Sequence, residues 1–212
     1  MSNRQTARIS SRKQPQQARS ADLVAAILQA AIQVLTEHGA TRFTTARVAE
    51  KAGVSIGSLY QYFPNKAAIL FRLQSDEWLH TTQMLRRILE DQQQPPLTRL
   101  RTLVQAFIRS ECEEAQMRGA LNDAAPLYRD APEAHEVHAS GRQIFATFML
   151  HLLPESDEPT RVAACELILT TLSSVGKDFS GTARNDLEIT AFADRLADMF
   201  SAYVVTLKQP SM

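Results

Sequence analysis

The chain has 212 residues, enough for one domain or two small ones with a real core, and its 44% apolar and 22% charged content is that of a globular protein, not a disordered or fibrous one. No apolar run approaches the roughly 18 residues of a membrane span, and the opening MSNRQTARISSRKQPQQARS is too polar for a secretory signal. Net charge is zero but uneven: residues 1–66 hold nine Lys and Arg against three acids, +6, and the rest 14 against 20, −6, which suggests one nucleic-acid-facing end.

Residues 1–19 carry Arg4, Arg8, Arg12, Lys13 and Arg19 and no acid, which predicts a flexible basic arm. Ser20 reads as an N-cap. Leu23, Val24, Ile27, Leu28, Ala31, Val34 and Leu35 follow at helical spacing, until Gly39 stops the helix after His38. Thr44 and Thr45 cap a short second helix to about Ala52, which Gly53 breaks. Ser55 caps a third, Ile56 to Phe63. Pro64 and Asn65 begin a fourth that runs to about Asp91, where Gln92-Gln93-Gln94-Pro95-Pro96 marks a seam. Beyond it, helices are expected over Leu97–Gly119, Glu133–Leu153, Thr160–Phe179 and Leu187–Leu207, with a looser stretch at Ala120–Pro132. Glycine is scarce, and no hairpin or repeat is visible. The expected fold is all-α with about nine helices: an arm (1–19), a helix-turn-helix (20–66) and a ligand-binding and dimerisation domain (67–212).

The informative stretch is Thr44 to Lys66, TTARVAEKAGVSIGSLYQYFPNK. Two short helices flanking a Gly53-Val54-Ser55 turn are helix-turn-helix grammar, in which the second helix enters the major groove. Ile56-Gly57-Ser58 allows the backbone near phosphates and bases. Tyr60, Gln61 and Tyr62 can reach phosphates or base edges.

At this point the chain closely resembles the TetR family of bacterial regulators. The resemblance rests on Glu37–Gly39 (EHG), Phe43–Ser55 (FTTARVAEKAGVS) and Gly57–Lys66 (GSLYQYFPNK), and covers residues 20 to about 70. It implies phosphate contacts from Thr45 and Arg47, a reading face of Gly57, Ser58 and Gln61 with Ser55 at its cap, and phosphate clamps at Tyr60, Tyr62 and Lys66. Ile56 takes a position often polar in relatives and could touch a thymine methyl. Phe43, Val48, Ala49, Val54 and Leu59 read as core. The resemblance further implies a repressor that binds a palindromic double-stranded DNA operator as a cytoplasmic homodimer and releases it on binding a small-molecule effector.

By the same analogy an effector pocket draws on Trp78, Phe107, Met117, Tyr128, Phe145, Phe148, Met149 and Phe179. For each one singly, core packing is the simpler reading. An apolar or aromatic effector fits such a lining. The last two helices carry apolar faces (Val162, Leu169, Leu172; Phe192, Leu196, Met199, Phe200, Tyr203) expected to pair across a two-fold axis. His135, Glu136 and His138 lack the further ligands of a metal site, so no metal or cofactor is expected. Cys112 and Cys165 read as free buried thiols, with a disulfide as the alternative. No nucleophile elbow, Gly-rich phosphate loop or paired-carboxylate motif is present, so no enzyme is expected. A second reading is a DNA-binding module answering a protein partner or serving the nucleoid.

Overall fold

The computed structural model describes residues 18–128 and 132–208, with side chains described for 20–128 and 141–208. The described residues form nine α-helices and no strand: α1 (Ala18–Arg42), α2 (Thr45–Lys51), α3 (Ile56–Tyr62), α4 (Lys66–Leu89), α5 (Pro96–Glu113), α6 (Ala115–Ala124), α7 (Pro132–Leu152), α8 (Glu158–Ser180) and α9 (Asp186–Leu207), plus a 3-10 turn at Ala125–Leu127. Described residues within Met1–His80 and Gln116–His138 make one compact unit, and those within Thr81–Ala115 and Ala139–Met212 a second.

In the first unit, α1 is interrupted at Gly39 (φ 70°, ψ 172°), where the sequence predicts the stop. A Cβ there would meet nothing within 4 Å, so glycine serves the backbone angle rather than a shortage of room. Helices α2 and α3 have seven residues each, too few to persist alone in water. Burial holds them. Phe43, Val48, Leu59 and Phe63 are fully enclosed with Ile27, Leu35, Ile69 and Leu70. Helix α6 closes this core with Leu121 and Ala124, followed by Tyr128.

A buried polar cluster joins α4 to α6 within this unit. Arg118 Nη2 lies 2.9 Å from Glu77 Oε1. Gln74 Nε2 donates to Glu77 Oε2 at 3.0 Å. The Tyr128 hydroxyl lies within hydrogen-bond reach of Gln74 Oε1 (3.2 Å) and the Leu121 carbonyl (3.0 Å). Burial pushes the Tyr128 phenol well above its ordinary range, and the Glu77 charge adds to this, so the group stays a neutral donor.

The second unit is built on α5 and α9, which run antiparallel: Arg101 pairs with Asp198 and Asp194, Gln105 donates to Asp194, and Arg109 reaches Asp186, so numbers fall along α9 as they climb α5. Beneath this ladder Leu100, Leu103, Val104 and Ile108 pack with Phe145, Phe148, Leu172, Leu196 and Phe200. Gly176 on α8 lets that helix come close: a Cβ there would stand 3.1 Å from Phe107 and 3.2 Å from Glu111. Arg99 is only 4% exposed. It donates to the Leu89 carbonyl at 2.6 Å and lies 5.2 Å from the Phe148 ring centre, closing the C-terminus of α4. Its Nε has no hydrogen-bond partner among the described residues.

Four expectations change. The helix expected over Leu97–Gly119 is two: Glu114 leaves helical geometry (φ −107°, ψ 10°), α5 packs into the second core and α6 into the first. No Gly or Pro marks that break. The loose stretch from Ala120 is helical through Ala124, then a 3-10 turn. One helix, Ser20–Arg42, is long and apolar enough to cross a membrane by length and composition; its Ile27, Ala31 and Leu35 are instead fully enclosed in the first core. On α8 and α9, Leu172, Leu196 and Phe200 are buried within the chain and Leu169, Phe192 and Tyr203 half-buried against the second core, leaving Val162 (50% exposed) and Met199 (51%) free of it.

Candidate nucleic-acid interface

Short-range chemistry shapes the turn between α2 and α3. The Thr44 hydroxyl accepts from the Arg47 amide at 3.3 Å and starts α2. Gly53 takes φ +67°, a left-handed angle that a side chain would resist. Ser55 Oγ accepts from the Ser58 amide at 3.0 Å and starts α3. Asn65 Oδ1 accepts from the Ala68 amide at 2.9 Å at the head of α4. Val48, Ala49 and Leu59, on the inner sides, are buried. Together these fix the angle between two helices that could not fix it themselves.

The outer side of α3 presents Gly57, Tyr60 and Gln61, all exposed, with Ser58 half-buried. The Tyr60 hydroxyl lies 3.1 Å from Thr45 Oγ1, tying α3 to the start of α2. Two hydroxyls that could meet one phosphate are therefore already side by side. Ser58 Oγ sits 2.8 Å from Ser55 Oγ, so both are committed to the cap. Arg47 is exposed, and its Nη1 donates to the Arg42 carbonyl at 2.8 Å. Lys66 is half-buried and makes no ion pair among the described residues. Lys51 is spent on Glu37 at 2.9 Å, and this contact holds the Glu37 carboxyl below its ordinary range.

Of the predicted set, Thr45 meets Tyr60 and Ser55 meets Ser58; Arg47, Gly57 and Gln61 are exposed and Lys66 is half-buried, an outward pattern. Tyr62 departs from it: only 6% exposed, it belongs to the first core with Leu59, three residues earlier on the same inward face. The basic arm, with Arg4, Arg8, Arg12, Lys13 and Arg19, lies outside the residues whose side chains are described.

The residues considered for an effector fall into two groups. Met117 and Tyr128 pack in the first core. Phe145, Phe148 and Met149 are buried in the second, with Phe107 and Phe179 half-buried against it. Trp78 is half-buried on α4. Phe179 stacks on Phe192 at 3.8 Å between ring centres, and the Arg184 guanidinium lies over the Phe179 ring at 4.7 Å from its centre. His135, Glu136 and His138 lie outside the residues whose side chains are described; among those described, no group of three or more His, Cys, Asp or Glu could hold a metal. Both cysteines are free and half-buried. Cys165 precedes Gly176 by eleven residues, roughly 16 Å of helix, and Gly176 packs on Glu111 beside Cys112, a span no disulfide bridges. Burial, reinforced by Glu111 at Cys112 and Glu166 at Cys165, raises both thiols and makes them poor nucleophiles. Sequence reasoning did not reach Gln74, Glu77, Arg99 and Arg118, because a buried charge on a helix has the same local spacing as an exposed one.

Residues 27–73 match the family model described as bacterial regulatory proteins, tetR family, and residues 95–207 match the tetracyclin repressor-like C-terminal domain. The nucleoid occlusion factor SlmA of Vibrio campbellii is 39% identical over 85 residues, 39% of this chain and 42% of that protein. The HTH-type transcriptional repressor KstR of Rhodococcus jostii is 27% identical over 139 residues, 62% of each. The chain therefore spans less than two thirds of the length of these curated relatives. Among solved structures, the fatty acid degradation regulator FadR from Bacillus halodurans has a TM-score of 0.68 at 20% identity, over 89% of this chain and 96% of that one, a likeness of fold.

Proposed function

The chain belongs to the TetR family of bacterial DNA-binding transcriptional regulators, and on that premise we propose that it is a homodimeric repressor that holds a palindromic operator and releases it when a small apolar or aromatic molecule binds its C-terminal helices. The observation that carries this reading is α3 itself: a seven-residue helix pinned by Leu59, with Gly57, Tyr60 and Gln61 outward and the Tyr60 hydroxyl set against Thr45. In this reading Thr45, Arg47, Tyr60 and Lys66 hold phosphates, Gly57, Ser58 and Gln61 face base edges, and Ser55 keeps the helix in place. A two-fold dimer would offer two such helices to one face of the duplex. The exposed Val162 and Met199 support pairing through α8 and α9. Chromosomal DNA as the target makes the site of action cytoplasmic, and the protein acts as a regulator without chemistry of its own.

The test is a selection of bound random duplexes, which should return an inverted repeat. Lys66→Ala should then lower the slope of log affinity against log salt by about one unit and weaken all sequences alike. An unchanged slope removes Lys66 from the phosphate contacts.

Release requires a link between ends. Helix α4 starts at Lys66, buries Ala67 to Leu70 in the first core and Leu85 and Leu89 in the second, without interruption. An effector favouring one tilt of α4 would shift operator affinity, and coupling is reciprocal, typically about 1–3 kcal/mol. Effector titrations with and without operator measure it. The similarity to a nucleoid occlusion factor favours a second reading, a DNA-binding module serving the nucleoid; effector affinity indifferent to operator would favour it.

A further inference from the structure

We propose that Ile56 reads the 5-methyl group of a thymine in the operator and so helps to set sequence preference. This rests on the reading of the chain as an operator-binding regulator.

Helix α3 advances about 100° per residue, which places Ile56 only about 60° from Leu59. By spacing alone it would join the core. Instead Leu59 is fully buried and Ile56 is 42% exposed. The other exposed large apolar side chain between Thr44 and Lys66 is Tyr60, 39% exposed and one turn on from Ile56. The two make a short apolar edge, beside a second pair, Gly57 and Gln61, which is also exposed.

The neighbours decide what that edge can do. Tyr60 has its hydroxyl against Thr45. Ser58 has its hydroxyl against Ser55. Gly57 carries no side chain, and a Cβ there would meet nothing closer than Ser55 Oγ at 3.8 Å, so the surface beside Ile56 is open to a close approach. The first turn of α3 thus offers a bare backbone, a committed hydroxyl and one branched apolar group. Hydrogen-bond readout from that turn is limited, and apolar readout is available. In the major groove only thymine presents a methyl group. The β-branch restricts χ1, so Ile56 loses little freedom on contact.

The experiment uses the full chain and the operator recovered by selection. Each thymine is replaced singly by deoxyuridine, which removes the methyl and leaves the base-pairing edge intact. One thymine in each half-site should lose about fourfold in affinity, the worth of one buried methyl group, and the two together about sixteenfold. Ile56→Ala, which changes both protomers, should bind more weakly by about the sixteenfold of the two sites together and be indifferent to deoxyuridine at that position. Ile56→Asn, which removes the apolar branch, replaces it if the alanine variant does not fold; it too should lose the methyl sensitivity. An operator along which no methyl removal costs wild type more than twofold overturns the proposal, as does equal sensitivity in the Ile56 variants. Those results leave operator binding standing. Failure to enrich any sequence overturns the repressor reading and this inference with it.

Discussion

The two compact units of this protein are specified in different ways. In the first, α2 and α3 are so short that nearly every residue has one duty: Thr44 and Ser55 cap, Gly53 turns, Val48 and Leu59 anchor, Tyr60 and Gln61 face out. In the second, helices of 18 to 23 residues satisfy most of their own backbone and need only an apolar stripe and a charged flank. Many side chains can fill such a stripe. A region whose residues each answer to a single requirement carries a recognisable sequence; a region that asks only for periodicity does not. This is why the helix-turn-helix of the first unit is legible and the detail of the second unit is not.

The sharpest way to break that comparison is the buried cluster of the first unit. Glu77→Leu takes the Glu77 carboxylate away from the enclosed Arg118 guanidinium and should cost about 3–5 kcal/mol in urea denaturation, whereas Glu77→Leu with Arg118→Leu should recover most of the loss. If the double substitution is as damaging as the single one, the cluster is not an ion-pair problem. In the second unit Gly176→Leu forces a side chain toward Phe107 and Ile108 and should cost about 1–3 kcal/mol by overpacking; an unchanged melting temperature would mean that α5 and α8 yield more easily than their spacing implies.

Cap substitutions compare the units directly. Ser55→Ala in the first and Asp157→Ala in the second each remove an N-cap and should each cost about 1 kcal/mol. Only Ser55→Ala should also weaken operator binding, and equal losses of affinity would contradict the separation of roles. Arg101→Ala removes an exposed rung of the α5–α9 ladder and should cost under about 1 kcal/mol, less still in high salt. The smallest effect is in acid. Lys51 holds the Glu37 carboxyl below its ordinary value, so the stability it contributes is present above the unfolded value near 4.5 and is lost as pH falls through the lower folded one. Lys51→Met should make the acid limb of the melting curve shallower in that window, and an identical limb would show the pair to be silent.

Much of the first unit could be read from residues in order. Gly39 and Gly53 punctuate as glycine must at a left-handed angle, and Thr44, Ser55 and Asn65 cap as their short polar side chains allow. Tyr62 was harder: its polar tip suggests a phosphate clamp, while its three-residue spacing from Leu59 puts the ring inside. Ile56 is the converse, an apolar residue at core spacing that the fold leaves exposed. Neither outcome follows from residue type, because burial depends on where the core ends.

By itself the sequence determined what is local: helix starts and stops, the turn between α2 and α3, and a basic end beside an acidic one. The tertiary structure alone decided that Glu114 divides one helical stretch into two, that α6 completes the first core and α5 the second, and that Tyr128 hydrogen-bonds Gln74, 54 positions away in the chain. The reason is physical. A cap or a left-handed glycine is satisfied by atoms within a few residues, whereas burial and buried pairing are satisfied by partners that only the folded chain brings within reach.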